Sequence, residues 1–197
     1  FGPEARVILL FGAIRPYKGL DTALKAFEEV LKGIPEARLL IAGKLWQRWE
    51  RYEELMEELG IGAYVRTYLT YVPSSEVYRF FVASDLVVLP YHHFDSQSGV
   101  GAAALSFGKP MIVTDVGGLP DLVEDRCYVV APKDSGALAQ AVMACLTDDS
   151  QLGVMAESTK AIAARVAWPA IARKTWTVYQ KVLAMAQGEE EGQDRAT

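Results

Sequence analysis

Short runs of continuous aliphatic residues alternate along the chain with stretches whose apolar side chains recur every three or four positions. This is the pattern of buried strands joined by crossover helices. Residues 7–11 (VILLF) form the first run, and Leu20, Leu24, Phe27 and Leu31 follow at helical spacing, with Asp21 near that helix's start. Residues 39–42 read as a second strand; Trp49, Tyr52, Leu55, Met56 and Leu59 then share one helical face, ended by Gly60. Residues 65–69 give a third strand. Ser74 or Ser75 is placed to cap the next helix, whose inward face carries Val77, Phe80 and Phe81, and residues 86–89 form a fourth strand closed by Pro90. A helix is predicted over 100–107, broken by Gly108 and Pro110, with strands at 111–114 and 127–130 on either side of a Gly117, Gly118 turn. The last third reads as three helices, 135–146, 152–165 and 169–186, with Pro169 at a first-turn position.

The expectation is one doubly wound, mostly parallel six-stranded α/β sheet with helices on both faces, Rossmann-like, over residues 1–187, followed by a disordered acidic tail at 188–197. Right-handed crossovers aim the C-terminal ends of the strands at one edge, where open α/β sheets bind ligands. Five loops gather there: 12–18, 43–48, 70–75, 90–99 and 115–119.

Composition narrows the function classes. The 197 residues are enough for one well-buried core, and the net charge of −5 argues against a broad basic face for nucleic acid. No run of apolar residues is long enough to predict a transmembrane segment. The two cysteines, Cys127 and Cys145, make neither a disulfide framework nor a paired zinc motif, so a reducing, cytoplasmic setting is expected. The start at Phe1, without a Met, has the look of an excised piece.

Two loops carry candidate chemistry. Arg15 and Lys18 sit just past the first strand between Gly12 and Gly19; an arginine fork and a lysine point charge there suit a polyanion, and equally a solvated turn. The loop YHHFDSQSGV over 91–100 opens onto a helix, so the free amides at Ser98, Gly99 and Val100 make an anion cradle or a simple Ser/Gly cap. Gly99, Gly101 and Ala104 also fit a dinucleotide fingerprint, but on the fourth strand and after a long loop rather than the tight first turn that motif needs. His92 and His93 read as loop-surface residues rather than metal ligands, and Trp46, Trp49 and Tyr52 as a stripe packed against the sheet.

Four segments together resemble the C-terminal domain of the retaining glycosyltransferases of family four, which have the GT-B fold. They are FGAIRPYKGLD (11–21), SDLVVLPY (84–91), FGKPMIVTDVGGL (107–119) and the closing pattern Trp168, Ile171, Trp176, Tyr179. The resemblance implies transfer of a sugar from a nucleoside-diphosphate sugar to an acceptor hydroxyl, with retention and without a metal or other cofactor. It puts Lys18 at the family's diphosphate-binding lysine and leaves Arg15 two residues beyond the usual arginine position, which is Ala13 here. The family's two glutamates, with seven residues between them, fall at Asp95 and Ala103: the first is shortened and the second, which holds the donor ribose in relatives, is lost. Gln97, Ser98 and Gly99 look like a subgroup that also lacks that glutamate, and the segment with Val72 is similar to the one lying against the nucleobase.

So implied, Arg15, Lys18 and Asp95 serve the reaction, and Gly12, Val72, Gln97, Ser98, Gly99 and Val100 hold the donor. An N-terminal acceptor-binding domain of the same polypeptide is the implied partner, with peripheral attachment to the inner membrane through that domain as an alternative to a free cytoplasmic state. A non-catalytic nucleotide-binding module and a GT-B sugar-nucleotide epimerase are the competing readings; an epimerase would convert a sugar nucleotide with no acceptor present.

Overall fold

The computed structural model describes residues 1–194, with side chains through residue 185. By contacts the chain divides into two compact units, Phe1–Ile162 and Ala163–Thr197. That division comes before the 187–188 boundary expected from the sequence.

The first unit holds a six-stranded sheet in the order β3-β2-β1-β4-β5-β6. Its strands are β1 (Arg6–Phe11), β2 (Ala37–Ala42), β3 (Val65–Tyr68), β4 (Leu86–Leu89), β5 (Met111–Thr114) and β6 (Val129–Val130). Every pairing is parallel, so the sheet is wholly rather than mostly parallel. The register sets Ile8 beside Leu39 and Leu86, and Leu10 beside Ile41. β4 is buried at all four positions, which is why it reads as an uninterrupted aliphatic run.

The connecting helices are α1 (Leu20–Gly33), α2 (Glu50–Glu58), α3 (Val77–Val82), α4 (Gly99–Ser106), α5 (Ser135–Leu146) and α6 (Asp149–Val166). One core cluster joins Ile8, Leu10, Leu39, Ile41 and Val88 to Leu24 and Phe27 of α1, Tyr52 of α2 and Leu138 and Val142 of α5. The chain reverses direction after β3 to place β4 beside β1, so right-handed crossovers carry α3 and α4 to the opposite face. There Phe81 is fully buried against Phe11 and Phe107.

Two expected details differ. The cap of α3 is Glu76, with no side-chain bond to the helix, rather than Ser74 or Ser75. The predicted sixth strand is shorter, because residues Arg126–Tyr128 close a 3-10 turn capped by Asp125 before the chain joins β5.

Side chains fasten the edge where the strands begin. Asp85 Oδ2 accepts from Val7 N–H at 2.7 Å, Lys109 Nζ donates to Ser84 O at 2.7 Å, and Arg6 pairs with Asp149 at 2.7 Å. Burial lowers the Lys109 pKa, opposed by the charge of Asp85.

In the second unit α7 runs over Trp168–Asp194, with Trp168, Trp176 and Tyr179 exposed. The tail expected to be disordered from residue 188 falls partly on this helical backbone, and residues 195–197 lie outside the described residues. Among the described residues no helix is long and apolar enough to cross a membrane.

Candidate functional site

The site is built at the ends of three strands. β1 leaves the sheet at Phe11 and turns at Gly12, whose N–H donates to Ala42 O at 2.8 Å. After β2 the chain turns at Gly43, whose N–H donates to Tyr68 O at 2.8 Å. A β-carbon on Gly43, at φ 146°, would run into the backbone of Gly12, so the two strand ends approach through bare backbone.

Residues Pro16–Lys18 form one 3-10 turn, and Gly19 closes it at φ 69° against the carbonyl of Pro90. That turn folds Lys18 back over the end of β1. Its Nζ lies 3.5 Å from Phe11 O and 5.0 Å from the centroid of the Tyr91 ring. A β-carbon on Gly12 would stand 2.9 Å from Lys18 Nζ and 2.8 Å from Val100 Cγ2, so a bare residue 12 lets the ammonium and the first turn of α4 meet there. Lys18 is only 6% exposed, and no carboxylate is paired with it among the described residues. Burial, helped by the nearby charge of Arg15, lowers its pKa from 10.5 to about 8.

The start of α4 is fixed by Ser98. Its Oγ accepts from Gly101 N–H at 3.2 Å and lies 3.3 Å from the Tyr91 hydroxyl. Burial pushes the Tyr91 pKa up to about 12, so the phenol under Lys18 stays neutral. The amides of Gly99 and Val100 occupy first-turn positions without intrahelical acceptors, and the space at Gly99 is open. Gly12, Lys18, Ser98, Gly99 and Val100, singled out from the sequence, are therefore brought together, with Tyr91 as the link.

The other candidates sit differently. The Arg15 guanidinium lies over the Trp46 ring, 4.7 Å from its centroid, and its charge is felt at Lys18. Asp95 and Gln97 are exposed; the Gln97 amide packs on Gly118 and the Phe94 carbonyl on Gly117, which seats the loop on the 115–119 turn. Tyr17 stacks on Phe94 of that loop, with ring centroids 5.8 Å apart. Val72 is buried in the segment after β3.

Two readings from the sequence need correction. His92 is not a surface residue: its side chain is 15% exposed, its Nε2 is 2.9 Å from Thr22 Oγ1 and 3.5 Å from Asp21 Oδ1, and burial lowers its pKa against the pull of Asp21. It docks the 90s loop on α1, while His93 is exposed as expected. The aromatic stripe also divides. Trp49 and Tyr52 pack against each other and the core, but Trp46 is 57% exposed and carries Lys44 Nζ at 5.0 Å as well as Arg15. Neither Lys44 nor Tyr91 was singled out for the site; a glycine following each of the first two strands was the available signal that the 12–18 and 43–46 loops act together.

A buried ammonium with no carboxylate paired to it, beside a helix start whose first two amides have no intrahelical acceptor, is an arrangement for a multiply charged anion. Residues 1–162 match the family described as glycosyl transferases group 1, and the chain belongs to that family. It is 31% identical over 192 residues to a D-inositol 3-phosphate glycosyltransferase of Corynebacterium urealyticum, a match covering 93% of this chain and 45% of that protein. Its fold is similar to the C-terminal domain of a group 1 glycosyl transferase, LpcC, from Francisella tularensis (TM-score 0.72, 21% identity, 82% of this chain and 85% of that one). It is also similar to Anabaena Alr3699/HepE, solved in complex with UDP and glucose (TM-score 0.75, 20% identity, 92% of this chain and 49% of that one). The sheet is thus the GT-B half that the resemblance implied, and the chain spans less than half the length of the curated relatives it matches.

Proposed function

We propose that this chain binds the nucleoside-diphosphate sugar of a retaining glycosyltransferase, gripping the diphosphate between Lys18 and the first turn of α4. The observation that carries the reading is the Lys18 ammonium, held at 6% exposure without a carboxylate and in reach of Val100 across Gly12. A charge so placed is costly in the empty protein and is compensated by a bound anion.

As the glycosidic bond to the donor breaks, the departing diphosphate gains negative charge. Lys18, Arg15 and the amides of Gly99 and Val100 then bind it more tightly than they bind the intact donor, which is the part of binding that speeds the reaction. These groups of the chain itself supply the positive charge, so the proposed mechanism assigns none of it to a metal. By family position Asp95 serves the reaction and Gln97 the donor; both belong to the loop seated against Gly117 and Gly118. Val72 faces the base by its family position. The acceptor and its binding domain belong to a separate part of the enzyme, working in the cytoplasm.

Calorimetric titration of the chain with UDP, GDP and ADP tests the proposal. One of them is expected to bind below millimolar concentration, and Lys18→Ala to weaken it tenfold or more, the loss of a charge-assisted pair. Absence of binding by all three at millimolar concentration overturns it.

A further inference from the structure

The Arg15 side chain has no carboxylate or hydrogen-bond partner among the described residues; its guanidinium lies over the Trp46 ring, 4.7 Å from the centroid. That contact is built by the backbone. Ile14, fully buried, donates from its N–H to Lys44 O at 2.8 Å and accepts from Trp46 N–H at 3.1 Å, forming an isolated parallel bridge with Leu45 between them. The bridge fixes residues 44–46 alongside residue 14, and so sets the ring against the side chain that comes next.

We infer that Trp46 is a positioning residue for Arg15: its ring holds the guanidinium and leaves the N–H donors free for phosphate oxygens. So held, the arginine's charge reaches Lys18. The inference rests on the donor-binding reading. A guanidinium held over an aromatic ring keeps its N–H donors free of a carboxylate, whereas one in an ion pair would have spent them. A large aromatic 57% exposed has no packing role to account for it, and Trp49 and Tyr52 already fill the core side of the stripe. Lys44 Nζ, 5.0 Å from the same ring, shows why an aromatic stands here. The electron-rich ring face attracts both cations and offsets their mutual repulsion, and neither cation is paired with a carboxylate among the described residues.

The test is the affinity of the chain for UDP and for inorganic pyrophosphate, measured by calorimetry on Trp46→Ala, Trp46→Phe, Arg15→Ala and the double variant Arg15→Ala/Trp46→Ala. Trp46→Ala is expected to weaken both ligands about two- to fivefold, the size of an exposed cation–π contact. Trp46→Phe should restore most of the loss, and adding Trp46→Ala to Arg15→Ala should change nothing further. Loss of UDP affinity alone would mean that the ring touches the base and not the arginine, and equal losses in both backgrounds would mean that it acts independently of Arg15; either overturns the inference, as does no change in Trp46→Ala. These results leave the donor-binding reading standing as long as UDP binds and Lys18→Ala weakens it. Failure of the unmodified chain to bind either ligand removes both.

Discussion

Lys18 combines burial with charge, and two consequences of that pairing have definite signs. Its pKa in the folded protein, about 8, lies below the ordinary 10.5, so between those values the unfolded chain holds more protons and folding stability rises with pH. Thermal denaturation across pH 8–10.5 should therefore give the unmodified chain a more positive slope of stability against pH than Lys18→Met. Ligand affinity runs the other way. A diphosphate needs the ammonium, so binding should weaken above pH 8 by up to about tenfold per unit, with proton uptake near pH 8–9 revealed by calorimetry in buffers of different ionisation enthalpy.

Lys18, Gly12 and the Ser98 turn were legible in the sequence because each depends on local grammar: a basic residue after a strand, a glycine at a turn, a small cap before a helix. The contacts of Trp46 with Arg15 and of His92 with Thr22 were not, because each joins residues distant in sequence. His92 looks like one of two adjacent loop residues until Thr22, 70 positions away, is found against its ring. Trp46 shares the spacing of two genuine core aromatics, and spacing alone cannot tell that the helix begins only at Glu50.

Among the elements, the strands were the most legible, since a parallel strand covered on both faces must be aliphatic throughout. Helix ends were less so. The α3 cap went to a residue with no capping side chain, and the sixth strand lost its first positions to a 3-10 turn that Asp125 stabilises locally. The turns between elements are where single changes should tell most. Gly43→Ala places a methyl on the backbone of Gly12 at a φ of 146°, and is expected to lower both the melting temperature and UDP affinity. Gly60→Ala, at φ 66° with nothing within 4 Å, is the control. It should cost only the roughly 1–2 kcal/mol of a left-handed alanine and leave binding intact. Equal loss of binding in both variants would show that stability, not the meeting of the β1 and β2 ends, is being read.

For the molecule as a whole, the match to group 1 glycosyl transferases ends at the residue where the first compact unit ends, 162. A chain covering 45% of a relative's length, with a site open at the strand ends, is expected to bind nucleotide and transfer little or no sugar by itself. Chromatographic analysis of products after incubation with UDP-sugars and candidate acceptors checks this; sustained transfer would contradict the division of labour. Conversion of the sugar nucleotide without an acceptor would point to an epimerase.

The sheet's opposite margins are unlike. Where the strands begin, the Asp85, Lys109 and Arg6 contacts tie neighbouring chain segments together through side chains. Where they end, bare glycine backbone and unspent amides face outward. The side-chain ties and the proposed nucleotide berth thus lie at opposite margins of one sheet. On the donor-binding proposal, an arriving ligand meets none of the contacts that tie the strand starts.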